Sequence, residues 1–145
     1  MVTKPIRTVI ADEDPQFVSA LTTYLRQIPE IQVVGTAADG PGAIEICADT
    51  LPDVAVISLQ LPVIDGVRAT QAILDANAQT GILTTSRSDA DDYALQAIKH
   101  GARGHLRKNN SPEAIAHAIR AIYEGEVCIP SGLASLMLSE FDRLA

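Results

Sequence analysis

Short β-branched runs alternate with stretches whose apolar residues recur every three or four positions, and the alternation repeats along most of the chain. Ile6 to Ala11 predicts a first strand. Asp14-Pro15 then opens a helix with Phe17, Val18, Leu21, Tyr24, Leu25 and Ile28 on one face. Pro29 stops it, because its ring cannot continue the helical ladder. Ile31 to Thr36 predicts a second strand, and a helix from about Pro41 turns Ile44, Cys47, Ala48 and Leu51 inward. Pro52 to Pro62 reads as a third strand, an unbroken apolar run covered on both faces that ends in an exposed tip at Ser58. Asp65-Gly66 leads into a third helix with Val67, Thr70, Ile73 and Leu74 inward.

Gly81 to Ser86 predicts a shorter, more polar fourth strand, and Asp91 to Ala102 a fourth helix burying Tyr93, Ala94, Ala97 and Ile98. Gly104 to Arg107 is a brief fifth strand. Ser111 caps a fifth helix, Pro112 suits its first turn, and Ile115, Ala118, Ile119 and Ile122 face the sheet up to Gly125. Five strand–helix units with short loops imply an α/β fold: a doubly wound, five-stranded parallel sheet over residues 1–125. Residues 126–145 form an extension, extended over Val127 to Pro130 and then helical through Leu133, Leu136, Met137, Leu138, Phe141 and Leu144. Two readings of that helix stand: it packs back on its own domain, or it offers a dimer surface or a linker to an output domain.

Composition narrows the function. At 145 residues and 47% hydrophobic content the chain suits a soluble domain with one core. Aromatics are only 3% of residues, so that core is aliphatic. No apolar run reaches the roughly 20 residues that span a bilayer, and no signal-peptide core is visible; no membrane contact and cytoplasmic residence are the expectation. A net charge of −7 argues against nucleic-acid binding by this segment itself. Cys47 and Cys128 lie in apolar contexts without CxxC spacing and read as reduced core residues.

The chemistry gathers where the strands end. Asp12 and Glu13 follow the first strand and so share one end of the sheet with Ser58. Paired carboxylates there suit an oxygen-ligated Mg²⁺, or they form an acidic cluster at a helix start, where Asp14 also fits as a cap. Ser86 at the fourth strand's tip and Lys108 just after the fifth supply a hydroxyl and an ammonium suited to holding a phosphoryl oxygen. His105 reads either as a buried neutral imidazole without a role or as a group that makes its surroundings respond to pH. His100 and His117 read as surface residues.

Taken in order, "TVIADEDP", "EIQVVGTAADG", "PDVAVISLQLPVIDG", "DDYALQAIKHGARGHLRK" and "SPEAIAHAIRAIYEGE" resemble a two-component response-regulator receiver domain of the CheY-like superfamily and NarL/LuxR-type subgroup, over about residues 6–125. The resemblance implies the flavodoxin-like (βα)5 receiver fold. It also implies Mg²⁺ on Asp12, Glu13 and the Gln60 carbonyl, a switch hydroxyl at Ser86, a phosphate-binding Lys108 and a switch aromatic replaced by His105. The phosphoacceptor aspartate falls on Ser58, and there the chain departs from the family. A neutral hydroxyl offers no acyl phosphate, so the expectation is an atypical receiver with at best a weak Mg²⁺ site and no enzymatic activity. Its partners would be a histidine kinase or regulatory protein, or a second copy. The contact surface would be the fourth helix, fifth strand and fifth helix, where Asp89, Asp91, Asp92, Lys99, Arg103, Arg107 and Arg120 lie, or else the C-terminal helix. Transcription regulation and DNA contact would come through an output domain not in this chain. Two alternatives remain open: a conventional receiver with an engineered acceptor site, and a haloacid-dehalogenase-like phosphatase using Asp12 as nucleophile.

Overall fold

The computed structural model describes residues 4–87 and 91–144. Its strands β1 (Ile6–Ala11), β2 (Ile31–Ala37), β3 (Val54–Ser58), β4 (Gly81–Ser86) and β5 (Gly104–Arg107) form one parallel sheet in the order β2-β1-β3-β4-β5. Helices α1 (Pro15–Leu25), α2 (Gly40–Thr50), α3 (Gly66–Ala76), α4 (Asp91–Lys99) and α5 (Pro112–Tyr123) connect and follow them, and α6 (Ser131–Leu144) closes the chain. The five-stranded doubly wound fold and the added C-terminal helix are as the pattern predicts.

The sheet separates two aliphatic layers. On one face Ile10, Val54, Val56 and Leu83 pack with Leu21 and Leu25 of α1 and Ile115, Ile119 and Ile122 of α5. On the other, Val9, Ala55, Ile57 and Ile82 meet Ala43 and Cys47 of α2, Ile73 of α3, Ala94 and Leu95 of α4 and Leu133 of α6. Each α5 isoleucine removed from water contributes roughly 2 kcal/mol. Burial pushes the Cys47 thiol up to about 12, which keeps it inert, whereas Cys128 is only half-buried.

Several side chains differ from the sequence-based expectation. The α1 helix ends at Leu25, not Ile28; Gln27 and Ile28 turn back onto the carbonyls of Tyr24 and Leu25. Leu51 is the left-handed C-cap of α2 (φ 48°), and it and Ala48 face solvent, because α2 meets the core through Gly40, Ala43 and Cys47. Tyr93 is 63% exposed, its place in the core taken by Leu95. β4 has six residues against five in β3 and is buried throughout, Thr84, Thr85 and Ser86 included. The polar residues of β4 are compatible with full burial, because threonine fills a pleated surface as valine does.

The β4 hydroxyls are unequal. Thr84 Oγ1 donates to the Gly104 carbonyl at 3.2 Å, while Thr85 Oγ1 has no hydrogen-bond partner among the described residues. Thr85→Val keeps the shape and removes a desolvated hydroxyl, so it is expected to stabilise the fold by about 1 kcal/mol, read as a higher urea midpoint.

Candidate functional site

Parallel strands deliver their C-terminal ends to one rim, and those of β1, β3, β4 and β5 here lead into polar groups. At the end of β1, Asp14 turns aside to cap α1, its Oδ1 accepting from the Gln16 N–H at 3.0 Å. Asp12 and Glu13 are left facing the crevice, so the capping role and the site role fall to different acids. Asp12 is 1% exposed; its Oδ1 accepts from the Asp14 N–H at 2.8 Å and its Oδ2 lies 2.7 Å from Lys108 Nζ. The same ammonium donates to Glu13 Oε2 at 3.1 Å and sits 5.4 Å from the centre of the Phe17 ring. The Lys108 side chain is 8% exposed. Arg87 adds a looser ion pair to Glu13 Oε2 at 3.6 Å.

Burial pushes the Asp12 carboxyl above its ordinary value, outweighing Lys108 and the Asp14 N–H, which pull it down. Burial acts the same way on Glu13, but hydrogen bonds from its own backbone, Ser58 and Lys108 win and hold it below the usual range. Glu13 therefore adds stability above its unfolded value that is lost as pH falls through its folded value. Asp12 works with the opposite sign.

Ser58 ends β3 fully buried, where an exposed tip was expected, because Leu59 continues the ladder by donating to the Thr85 carbonyl at 2.8 Å. Its Oγ accepts from the Gln60 N–H at 3.2 Å, and its hydroxyl is one of the groups that hold the Glu13 carboxyl down. The Gln60 side chain reaches across the crevice, its Oε1 accepting from the Arg87 N–H at 3.4 Å. Behind this loop the packing is backbone on backbone: a Cβ on Gly66 would stand 2.2 Å from the Ser58 carbonyl oxygen and 2.6 Å from Leu59 Cα. Gly66→Ala is therefore expected to cost about 2–3 kcal/mol, since neither neighbour can rotate away, and differential scanning calorimetry would read it as a lowered Tm.

Ser86 and His105 form the other half of the rim. His105 is 3% exposed, with Nε2 3.1 Å from Ser86 Oγ and Nδ1 2.9 Å from Thr84 Oγ1. The ring is thus held between two β4 hydroxyls, a contact that reading the sequence missed. Thr84 was the available signal, one strand over and in register with His105. Lys108 is anchored through its backbone, its N–H donating to the Ser86 carbonyl at 2.8 Å.

The fold thus brings together Asp12, Glu13, Ser58 and Lys108, with Gln60 bonded to Ser58 and Ser86 paired to His105. Elsewhere, His100 and His117 are exposed, and His100 lies against Gln71 Nε2. Arg120 pairs with Glu30 at 2.9 Å, and Lys99 with Glu140 at 2.6 Å. Asp92 and Arg103 are exposed, while Asp89 and the Asp91 side chain lie outside the described residues. No helix among the described residues is long and apolar enough to cross a membrane.

Comparison with known proteins gives this rim a context. Residues 8–120 match the response regulator receiver domain family. The chain is 31% identical over 137 residues to the oxygen regulatory protein NreC of Staphylococcus epidermidis, covering 94% of this chain and 63% of that protein. It therefore spans under two thirds of the curated relatives it matches. Among solved structures, the signal receiver domain of NarL from Mycobacterium tuberculosis is 30% identical, with a TM-score of 0.81 over 86% of this chain and 100% of that one. A LuxR-family two-component response regulator from Aurantimonas is 27% identical, with a TM-score of 0.85 over 98% of this chain and 100% of that one.

Proposed function

The chain belongs to the response regulator receiver domain family, of the NarL/LuxR type, and from that premise we propose that it is a pseudo-receiver, passing its signal by contacts with a partner and without an aspartyl phosphate. One observation carries this reading: the side chain at the end of β3 is an uncharged serine, tied to the Gln60 N–H. No base frees its proton, because the adjacent Glu13 is itself engaged by Lys108 and held below the usual carboxylate range. Receiver domains are in general signalling domains and not enzymes. The phosphatase alternative gains no support from Asp12, whose carboxylate is buried against Lys108 and shielded from a substrate.

Receivers commonly bind Mg²⁺ at this position, but these residues do not fit a tightly held ion. Two carboxylates are present, both already paired with Lys108, and among the described residues no three His, Cys, Asp or Glu side chains gather into a metal set. Titration with Mg²⁺ followed by NMR is expected to leave the Asp12, Glu13 and Gln60 resonances unsaturated at millimolar ion. Saturation below that range would count against the reading.

In the cell, the proposed partners are a histidine kinase or another regulatory protein, in the cytoplasm. Any transcriptional output would come from a domain outside these residues. The direct test is intact mass spectrometry after incubation with a small phosphodonor and Mg²⁺: the expected spectrum is unchanged, and a phosphoryl adduct on Ser58 would end the proposal.

A further inference from the structure

The segment after α5 sets where the last helix lies. Beyond Gly125 (φ +90°), the Cys128 N–H donates to the Arg103 carbonyl at 3.0 Å and its carbonyl accepts from the His105 N–H at 2.9 Å. That parallel bridge to Gly104 lays one extra rung along the outer edge of β5, and α6 then folds onto α4. Leu133 near the start of α6 is 2% exposed, and further along Glu140 accepts from Lys99 of α4 at 2.6 Å. The two helices still leave a cleft of about 240 Å³, walled by Leu95, Ile98, Met137, Phe141 and Leu144. Lys99 and Glu140 are the charged residues that line it.

Size and charge narrow what fits. An apolar cavity of roughly 150 Å³ takes one benzene ring, so by the same packing this cleft takes about nine or ten carbons. A partner helix would need anchors at i, i+3, i+4 and i+7, spread over about 10 Å of its length, and this volume does not hold that set. A flexible alkyl chain fills it, and Met137, an unbranched thioether, adapts to one. Lys99 and Arg143 both contact Glu140, so two cations meet one carboxylate here, in a chain of net charge −7. Asp142 stands two residues from Glu140, a spacing that turns it to another face of α6. Asp92 is about 10 Å from Lys99 along α4. The local surplus is positive, and it favours an anionic head.

We propose that the cleft between α4 and α6 is a binding site for a free medium-chain alkyl carboxylate. Its chain, about ten carbons long, lies against Leu95, Ile98 and Met137, and its carboxylate rests on Lys99. The Lys99 ammonium has three N–H donors and gives one to Glu140, so the ligand adds to the ion pair and does not replace it. The cleft shares no residue with the rim of Asp12, Glu13, Ser58 and Lys108, so the site is independent of how Ser58 behaves.

The test uses the full chain with ¹³C-labelled methionine methyl groups, in which Met137 is the one methionine besides Met1. Titration with octanoate and decanoate, each below its micelle concentration, is expected to move the Met137 resonance to saturation. Each added methylene should tighten Kd roughly two- to fourfold, and dodecanoate should gain nothing further once the chain outgrows the cleft. Decylamine should bind about fivefold more weakly than decanoate, and Lys99→Gln should erase that preference. Phe141→Ser removes a wall that is 68% exposed and leaves the core untouched, and it should weaken decanoate about fivefold. Four results would each overturn the proposal. The first is a Met137 resonance unmoved by millimolar decanoate, or one that follows protein concentration instead, the sign of a second copy in the cleft. The second is affinity that keeps rising with chain length, the sign of partition into micelles or lipid. The third is a preference for carboxylate that is absent from the native chain or survives Lys99→Gln. The fourth is undiminished decanoate binding by Phe141→Ser.

Discussion

Ser58→Asp is expected to gain what the native chain lacks: a phosphoryl adduct on incubation with a small phosphodonor and Mg²⁺, seen by intact mass as one added phosphoryl group that hydroxylamine removes. The new carboxylate oxygen attacks phosphorus, the donor's leaving group departs with its electron pair, and an acyl phosphate results. The surroundings are already set for it. Residue 58 adjoins Glu13, Lys108 is fixed by its backbone bond to Ser86, and Ser86 stands in register one residue beyond Thr85, the partner of Ser58. The change has a cost that a second measurement reads. A third acid near Asp12 and Glu13 shares the one buried ammonium, and like charges at that spacing resist joint ionisation. Without divalent ion the variant should melt lower than the native chain, and Mg²⁺ should raise its Tm while leaving the native Tm unchanged. Absence of any adduct on the variant, with its fold intact, would show that the rim is altered beyond the acceptor.

Lys108→Ala is expected to be the most destabilising single change in the rim, by about 3–5 kcal/mol near neutral pH, because it strands two acids that the fold has already taken from water. For a domain of this size that is roughly 10 °C or more of Tm. The pH dependence identifies the cause. Without the ammonium, burial and the neighbouring Glu13 charge hold the Asp12 carboxyl still further above its unfolded value in the folded state, so the variant loses stability as pH rises through the carboxylate range. The deficit relative to the native chain should therefore be largest near neutrality and shrink on acidification. Urea titrations at two pH values measure it. Asp12→Asn in the Lys108→Ala background should recover part of the loss, the two changes being strongly non-additive. A deficit independent of pH would assign the loss to packing on Phe17 instead.

Sequence alone made most of the frame legible, for a physical reason: doubly covered strands must be continuous in apolar residues, and one-sided helices must be periodic. Val54–Ile57 and the α5 isoleucines follow these rules without exception. The rule failed where chemistry and shape part company. Thr84, Thr85 and Ser86 look polar in the sequence and are wholly buried in β4. Tyr93 and Leu51 look apolar and lie in solvent, one because Leu95 takes the inward position and the other because it caps a helix. Of the rim, the residue types at the strand ends could be read from spacing. Their pairing could not: that Lys108 engages Asp12 and Glu13 together, and that His105 bridges Thr84 and Ser86, are contacts across 96 and 95, and 21 and 19, residues of chain, respectively.

The two margins of the sheet end differently. β5 has Cys128 laid along its outside, whereas β2 pairs with β1 and bounds the sheet on its other side. Backbone donors and acceptors on that flank carry no such rung among the described residues and can recruit a foreign strand, so a lysine or proline placed along Ile31–Ala37 is expected to improve solubility.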